Sequence, residues 1–176
     1  HYLSSHPNVF MPTEKEPHYF STDMPVYRRM QTEEEYLKLF STAGPMQYAV
    51  GESSVWYLYS REALSLIRDF NPDSRILVFF RNPVDFVQSM HAQFAYNNGQ
   101  RPDFPGAWAD AKKRSRLIAQ GSFGEQFARL TGIFPLEQVH VALLEDLKFD
   151  PRREYVRVLE FLELDDDGLT DFTTYN

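Results

Sequence analysis

The sequence predicts an α/β fold in which helices cover a mostly parallel sheet. The unbroken apolar run at residues 76–80 is typical of a strand covered on both faces, and the mostly apolar segment 139–144 is a second strand candidate. Segments with the apolar spacing of helices lie between these runs, and this alternation favours parallel pairing. No internal repeat or linker divides the 176 residues, so we expect a single domain, 1–176.

Composition excludes several classes of protein. The net charge of -7 argues against a broad basic face for nucleic acid, so we expect no nucleic-acid partner. The absence of cysteine excludes disulfides, thiolate metal sites and cysteine nucleophiles. No apolar run approaches the roughly 20 residues of a membrane span and no signal-peptide pattern opens the chain, so we expect a soluble, cytoplasmic protein. Nothing in the composition specifies an oligomeric state.

The strands are expected in a fixed relation to one another. The run at 76–80 follows the turn-forming residues 71–74 and should be central in the sheet. The run at 139–144 is the second candidate, and a shorter, weaker one lies at 47–50. We expect all three to be sheet neighbours.

Start signals precede most of the predicted helices. Thr32 and Glu35 have the spacing of a capping box, and Ser60 can cap a helix that ends near residue 70. Asn82-Pro83 and Asp150-Pro151 each combine a good cap with proline in the first turn. The remaining helices are expected at residues 107–119 and 123–130.

A candidate anion site follows the central strand. Arg81 comes directly after the apolar run, and the next two residues begin a helix whose free amides and dipole favour negative charge. The Arg81 guanidinium could bind phosphate oxygens in a bidentate manner, and Ser89, two turns along the helix, could add a hydroxyl. On spacing alone, an Arg81–Asp85 ion pair and an ordinary helical Ser89 are the alternative.

Five short motifs together resemble sulfotransferases that use 3′-phosphoadenosine 5′-phosphosulfate (PAPS), especially their glycan-sulfating and bacterial branch. The motifs occur in the family's order and extend over nearly the whole chain. They are residues 15–20 (Lys-Glu-Pro-His-Tyr-Phe), 51–54 (Gly-Glu-Ser-Ser), 81–89 (Arg-Asn-Pro-Val with a later serine), 144–147 (Leu-Glu-Asp-Leu) and 150–151 (Asp-Pro).

The resemblance implies a fold, a reaction and a set of site residues. The fold would be a three-layer sandwich like that of P-loop NTPases, and the reaction would transfer a sulfonate from PAPS to a hydroxyl of a glycan or small molecule. Arg81 and Ser89 would bind the 3′-phosphate. Glu16 and His18 are the candidate catalytic residues, with Glu16 as general base and His18 either orienting Glu16 or the acceptor, or serving only as a loop residue. Glu52 is a reserve candidate for the base, or a buried partner of a helix amide or arginine.

Other features of the chain depart from that family. We find no glycine-rich loop for the 5′-phosphosulfate and no basic C-terminal loop over the nucleotide, so we expect a sulfotransferase domain truncated at both ends. An inactive remnant or nucleotide-binding module is therefore an alternative, and a nucleotide-dependent phosphotransferase is a third reading that would need a Gly-Lys loop.

No metal is implied by the sequence. The histidines lack the spacing with carboxylates that a metal site requires. They are His1, His6, His18, His91 and His140. The basic run at 112–116 could attract an anionic acceptor or be a solvated helix face.

Overall fold

The computed structural model describes residues 2–173. The ends of the expected domain, His1 and residues 174–176, lie outside the described residues. The strands are β1 (Val9–Phe10), β2 (Ala49–Val50), β3 (Ile76–Phe80) and β4 (Val139–Leu143). The helices are α1 (Tyr2–Ser5), α2 (Glu33–Lys38), α3 (Ala63–Phe70), α4 (Pro83–Asn97), α5 (Phe104–Ala109), α6 (Ala111–Gly121), α7 (Phe123–Ile133), α8 (Leu144–Phe149) and α9 (Pro151–Leu162), with a 3₁₀ turn at Leu136–Gln138.

The strands form two parallel pairs. β3 pairs with β4, as the sequence predicts, in a register that aligns Ile76 with Val139, and β1 pairs with β2. The expectation that β2 neighbours the other two strands is wrong for residues 2–173, where its hydrogen-bonded partner is β1. The sequence does not reveal β1, because two residues are too few to show strand periodicity.

Helices lie on both faces of the β3–β4 pair. On one face, Val78 packs in a buried cluster with Leu64 of α3 and with Leu130 of α7. On the other face, the His140 ring lies 5.4 Å from the ring of Phe161 in α9. This arrangement has three layers, which agrees with the α/β prediction.

The central strand is less covered than its composition suggests. Val78 is buried, but Phe79, which points to the opposite face, exposes 49% of its surface. Within the described residues β3 has a strand partner on one edge, β4. The expectation of cover on both faces is therefore wrong at Phe79.

The caps predicted at Thr32, Asn82 and Asp150 form. The one predicted at Ser60 does not, because Glu62 occupies the cap position of α3, although the Ser60 hydroxyl accepts the Ala63 amide at 3.0 Å. The Thr32 hydroxyl accepts the Glu35 amide at 3.2 Å, and the Glu35 carboxylate accepts the Thr32 amide at 3.1 Å, which completes the capping box of α2. The Asn82 side chain accepts the Val84 amide at 2.9 Å at the start of α4. Asp150 caps α9 in the same way.

Two helical segments differ from the prediction. The single helix expected at 107–119 is divided into α5 and α6 at Asp110, whose carboxylate accepts the Lys113 amide at 2.9 Å and begins a new helix. Apolar spacing continues across that residue, so periodicity does not show the break. The strand expected at 139–144 ends one residue early, at Leu143, and Leu144 begins α8. In residues 2–173 we find no helix with the length and apolar character needed to cross a bilayer.

Candidate functional site

Charged side chains follow the carboxyl ends of all four strands. Glu16 lies in the loop after β1, and Glu52 lies two residues after β2. Arg81 directly follows β3, and Glu145 lies two residues after β4. Ligands of open α/β sheets bind at this edge of the strands, so these residues define the candidate site.

Glu16 and His18 form a side-chain pair. His18 Nε2 lies 3.3 Å from Glu16 Oε2. The His18 side chain is almost completely buried, whereas the Glu16 side chain exposes 42% of its surface. The structure therefore brings the two candidate catalytic residues together and leaves the carboxylate open to solvent.

The ring of His18 is poorly suited to carry a charge. Burial lowers the pKa of His18, and the nearby Glu16 carboxylate only partly opposes that effect. The buried Nδ1 atom has no hydrogen-bond partner among the described residues. A neutral imidazole protonated on Nε2 fits this setting, because it donates to Glu16.

The backbone around this pair is unusual. Glu16 and His18 both adopt left-handed conformations, with φ of 55° and 49°. Residues other than glycine, asparagine and aspartate rarely adopt this backbone conformation. The Glu16 amide donates to the Ser53 carbonyl at 3.1 Å, which ties the loop after β1 to the loop after β2.

Glu52 has hydroxyl partners. The Ser54 hydroxyl donates to Glu52 Oε2 at 2.9 Å and accepts the His18 amide at 3.1 Å. The Tyr57 hydroxyl bonds to Glu52 and accepts the Phe20 amide at 3.5 Å. Burial raises the pKa of Glu52, and these two hydrogen bonds oppose it. The helix amide or arginine expected as its partner is not found, and the two hydroxyls take that place.

Arg81 is placed at the start of α4. Its guanidinium makes no hydrogen bond or ion pair with residues 2–173, so the alternative pairing with Asp85 is not formed. The Asn82 amide donates to Glu145 Oε1 at 3.2 Å. Glu145's own amide and the Asn82 amide lower the pKa of the Glu145 carboxyl, and the charges of Lys148 and Arg81 add to the effect.

Ser89 lies on an exposed part of α4. It is seven residues beyond Asn82, which places both on the same side of the helix two turns apart. No hydrogen bond joins Ser89 to Arg81 or to any other described side chain. The structure thus places Arg81 just before α4 and Ser89 two turns into it, with no hydrogen bond between them.

The aromatic residues near the strand ends mostly pack in the core. Phe20 is buried in a cluster with Tyr36 and Ala63, and Tyr19 stacks on Tyr36 at 4.7 Å between ring centroids. Trp56 is buried and stacks on Phe94 of α4 at 6.2 Å. Core packing therefore accounts for these rings, and Trp56 links the loop after β2 to the helix that carries Ser89.

Residues 2–173 contain no group of three or more side chains arranged to hold a metal ion. His1, one of the five histidines considered, lies outside the described part. His140 is not satisfied as a typical core histidine, because its buried Nε2 has no hydrogen-bond partner among the described residues.

Comparison with known proteins assigns the family. The model of the sulfotransferase domain matches residues 4–174. The chain belongs to the sulfotransferase domain family. A crystal structure of a sulfotransferase from Alicyclobacillus acidocaldarius is similar to this domain, with a TM-score of 0.88 and 29% sequence identity. The match covers 99% of this chain and 78% of that chain. The predicted P-loop-like sulfotransferase fold is confirmed.

The sequence does not single out two members of the candidate site. Ser54 and Tyr57 join Glu52 to the loop of the Glu16–His18 pair, yet Ser54 appears in the sequence analysis only within the motif at 51–54 and Tyr57 not at all. Their signal is the spacing of hydroxyls two and five residues after Glu52. That spacing allows both hydroxyls to turn back to the same carboxylate.

Proposed function

We propose that this sulfotransferase transfers a sulfonate from PAPS to a hydroxyl of a carbohydrate or small molecule, with Glu16 as the general base. Family membership supports sulfonate transfer. The observation that carries the assignment of the base is the Glu16 carboxylate, open to solvent on one side and held by the buried His18 ring on the other. A base must meet its substrate and still keep one orientation.

The proposed step conserves atoms and charge. The acceptor oxygen attacks the sulfur of PAPS as its proton passes to Glu16, and the bond between sulfur and the bridging phosphate oxygen breaks. The products are the sulfate ester and 3′-phosphoadenosine 5′-phosphate. Such transfers depend mainly on in-line positioning and on cations near the oxygens.

In this proposal His18 positions the base. A neutral ring donates from Nε2 to one oxygen of Glu16 and leaves the other oxygen for the acceptor. Burial, which keeps the pKa of His18 low, holds the ring neutral near pH 7. The ring therefore orients Glu16 without adding a full positive charge that would weaken the carboxylate as a base.

Arg81 and Ser89 are proposed to bind the 3′-phosphate of the nucleotide. Arg81 has no competing ion pair among the described residues, and it precedes the N-terminus of the 15-residue helix α4. The Asn82 side chain already accepts the amides of Val84 and Asp85. The positive end of the α4 dipole and the Arg81 guanidinium are therefore what favour a dianionic phosphate here. Ser89 would contribute a hydroxyl from the same side of α4 as Asn82.

Binding of two nucleotides tests this part of the proposal. Replacing Arg81 by alanine should weaken the binding of 3′-phosphoadenosine 5′-phosphate roughly 10- to 100-fold, the range for a lost charged hydrogen bond. The same change should affect the binding of adenosine 5′-phosphate much less. Titration calorimetry measures both affinities.

The lysine variant sharpens the same experiment. Arg81→Lys keeps the charge but loses the planar fork, so its affinity for the 3′-phosphorylated nucleotide should be intermediate. Equal losses for both nucleotides in the alanine variant would remove Arg81 from the 3′-phosphate site.

A further inference from the structure

The hydrogen bonds of Glu52 have a fixed direction. An ionised carboxylate only accepts, so the hydroxyls of Ser54 and Tyr57 must both donate to it. Their lone pairs are then left to accept backbone amides, and they accept those of His18 and Phe20. One carboxylate therefore sets the orientation of two hydroxyls, and these hold two alternate amides of the neighbouring loop.

The loop held in this way is the one that presents the proposed base. Its left-handed backbone at Glu16 and His18 is unfavourable for residues with a Cβ atom, so surrounding contacts must maintain it. The Ser53 carbonyl accepts the Glu16 amide. The segment that follows β2 thus accepts hydrogen bonds from the backbone amides of Glu16, His18 and Phe20. Two of these three hydrogen bonds depend on Glu52.

We propose that Glu52 is a positioning residue that holds the loop of Glu16 and His18 in its reactive geometry through the hydroxyls of Ser54 and Tyr57. This inference rests on the proposed function, because it assigns Glu52 an effect on catalysis by Glu16. Glu52 does not touch the acceptor in this arrangement. It acts through the hydrogen-bond chain.

Glutamine at position 52 tests the direction of the bonds. The amide nitrogen of glutamine donates, so in Glu52→Gln one hydroxyl loses the carboxylate oxygen that orients it, and its bond to the backbone amide should weaken. Hydrogen exchange of the amides of His18 and Phe20 should become faster by about 10-fold or more at one or both positions, as expected when a hydrogen bond of 1–2 kcal/mol is lost. Unchanged protection at both amides would overturn the proposal, whatever the activity.

A double-mutant cycle tests the link to catalysis. Transfer from ³⁵S-labelled PAPS is measured with N-acetylglucosamine and 4-nitrophenol as acceptors. Glu52→Gln should lower kcat about 10- to 100-fold, the loss expected from a misplaced catalytic group, and change KM for PAPS less than about 2-fold. In a Glu16→Gln background the same change should lower kcat less than about 2-fold, because the group it positions is already gone.

The outcomes separate the two proposals. Full turnover in Glu16→Gln alone would disprove the proposed base, while the exchange measurement would still decide whether Glu52 organises the loop. Equal kcat losses from Glu52→Gln in both backgrounds would show a general structural effect and overturn the positioning role. Tyr57→Phe, which breaks the bond to Phe20, should lower kcat, and Tyr59→Phe, a matched change two residues away, should not.

Discussion

A single charged residue after β4, Glu145, lies beside the proposed nucleotide site. Glu145 accepts the Asn82 amide and lies close enough to Arg81 for the arginine charge to help lower the pKa of the carboxyl. The same negative charge opposes a phosphate that approaches Arg81. Because Glu145 is exposed, this opposition should be modest and should weaken with salt.

Removing that charge should strengthen nucleotide binding. Glu145→Gln keeps an oxygen for the Asn82 amide and should raise the affinity for 3′-phosphoadenosine 5′-phosphate about 2- to 5-fold at low salt, since solvent screens the interaction of an exposed charge. Calorimetry at low and high salt measures the change. Glu137→Gln, the same change in the exposed turn before β4, is the control and should leave the affinity unaltered. A weaker complex for Glu145→Gln would show that Glu145 supports the site.

At the same scale, the sequence predicts candidate residues but not the hydrogen bonds that connect them. Glu16 and His18 could be selected because the motif at residues 15–20 resembles a known family. The carboxylate at Glu52 could be selected as well, but its partners could not. Spacing gives the order of side chains along the chain, whereas a bond between Ser54 and His18 depends on how two separate loops meet.

Helix α4 begins beside the proposed nucleotide site, and its start shows what local sequence can predict. Its start was predictable because Asn82 and Pro83 act locally, and the Asn82 side chain indeed accepts the Val84 amide. The break between α5 and α6 was not predictable in this way. There the Asp110 cap competes with a helical pattern that continues on both sides. Local chemistry thus predicts an element when cap and periodicity agree, and fails when they conflict.

Substitutions at Asn82 should separate the stability of α4 from its role in binding. Asn82→Ala should lower the free energy of unfolding by about 1 kcal/mol, which corresponds to roughly 2–4 °C in Tm for a chain of this size. Asn82→Ser should restore most of that loss. Asn82→Asp should also cap the helix, but it should weaken the binding of 3′-phosphoadenosine 5′-phosphate because it adds a negative charge beside Arg81. Equal nucleotide binding by the serine and aspartate variants would place the phosphate away from this helix end.

For the whole molecule, the two parallel strand pairs determine where the charged residues of the candidate site lie. The strands β1 and β2 present Glu16 and Glu52 at one end, and β3 and β4 present Arg81 and Glu145 at theirs. The α/β class could be predicted because strand and helix periods differ along the chain. The pairing of β2 with β1 could not, since register between short strands is decided by tertiary contacts.

The buried His18 and the half-buried His140 should make the stability of the molecule depend on pH. Burial lowers the pKa values of His18 and His140 below the ordinary value of 6.5, with Arg157 adding to the effect at His140 and Glu154 opposing it. An unfolded chain therefore binds protons more readily than the folded one as pH falls below about 6.5. The two neutral histidines therefore contribute to the stability of the folded state above that pH, and this contribution is lost below it. Glu52, whose pKa is raised, acts in the opposite sense at lower pH.

We therefore expect Tm to fall as pH is lowered from 7.5 to 5.5 at constant ionic strength. His140→Leu removes one of the two groups while keeping an apolar side chain against Phe161, so its Tm should fall less over the same range. Phe161→Leu is the control: it loses the ring contact at every pH and should reduce Tm while keeping the pH dependence of the parent. If the Tm curves of the parent and His140→Leu run parallel, the proton uptake arises elsewhere in the chain. A smaller slope in His140→Leu alone would show that the face of the sheet under α9 tolerates a neutral imidazole and resists a charged one.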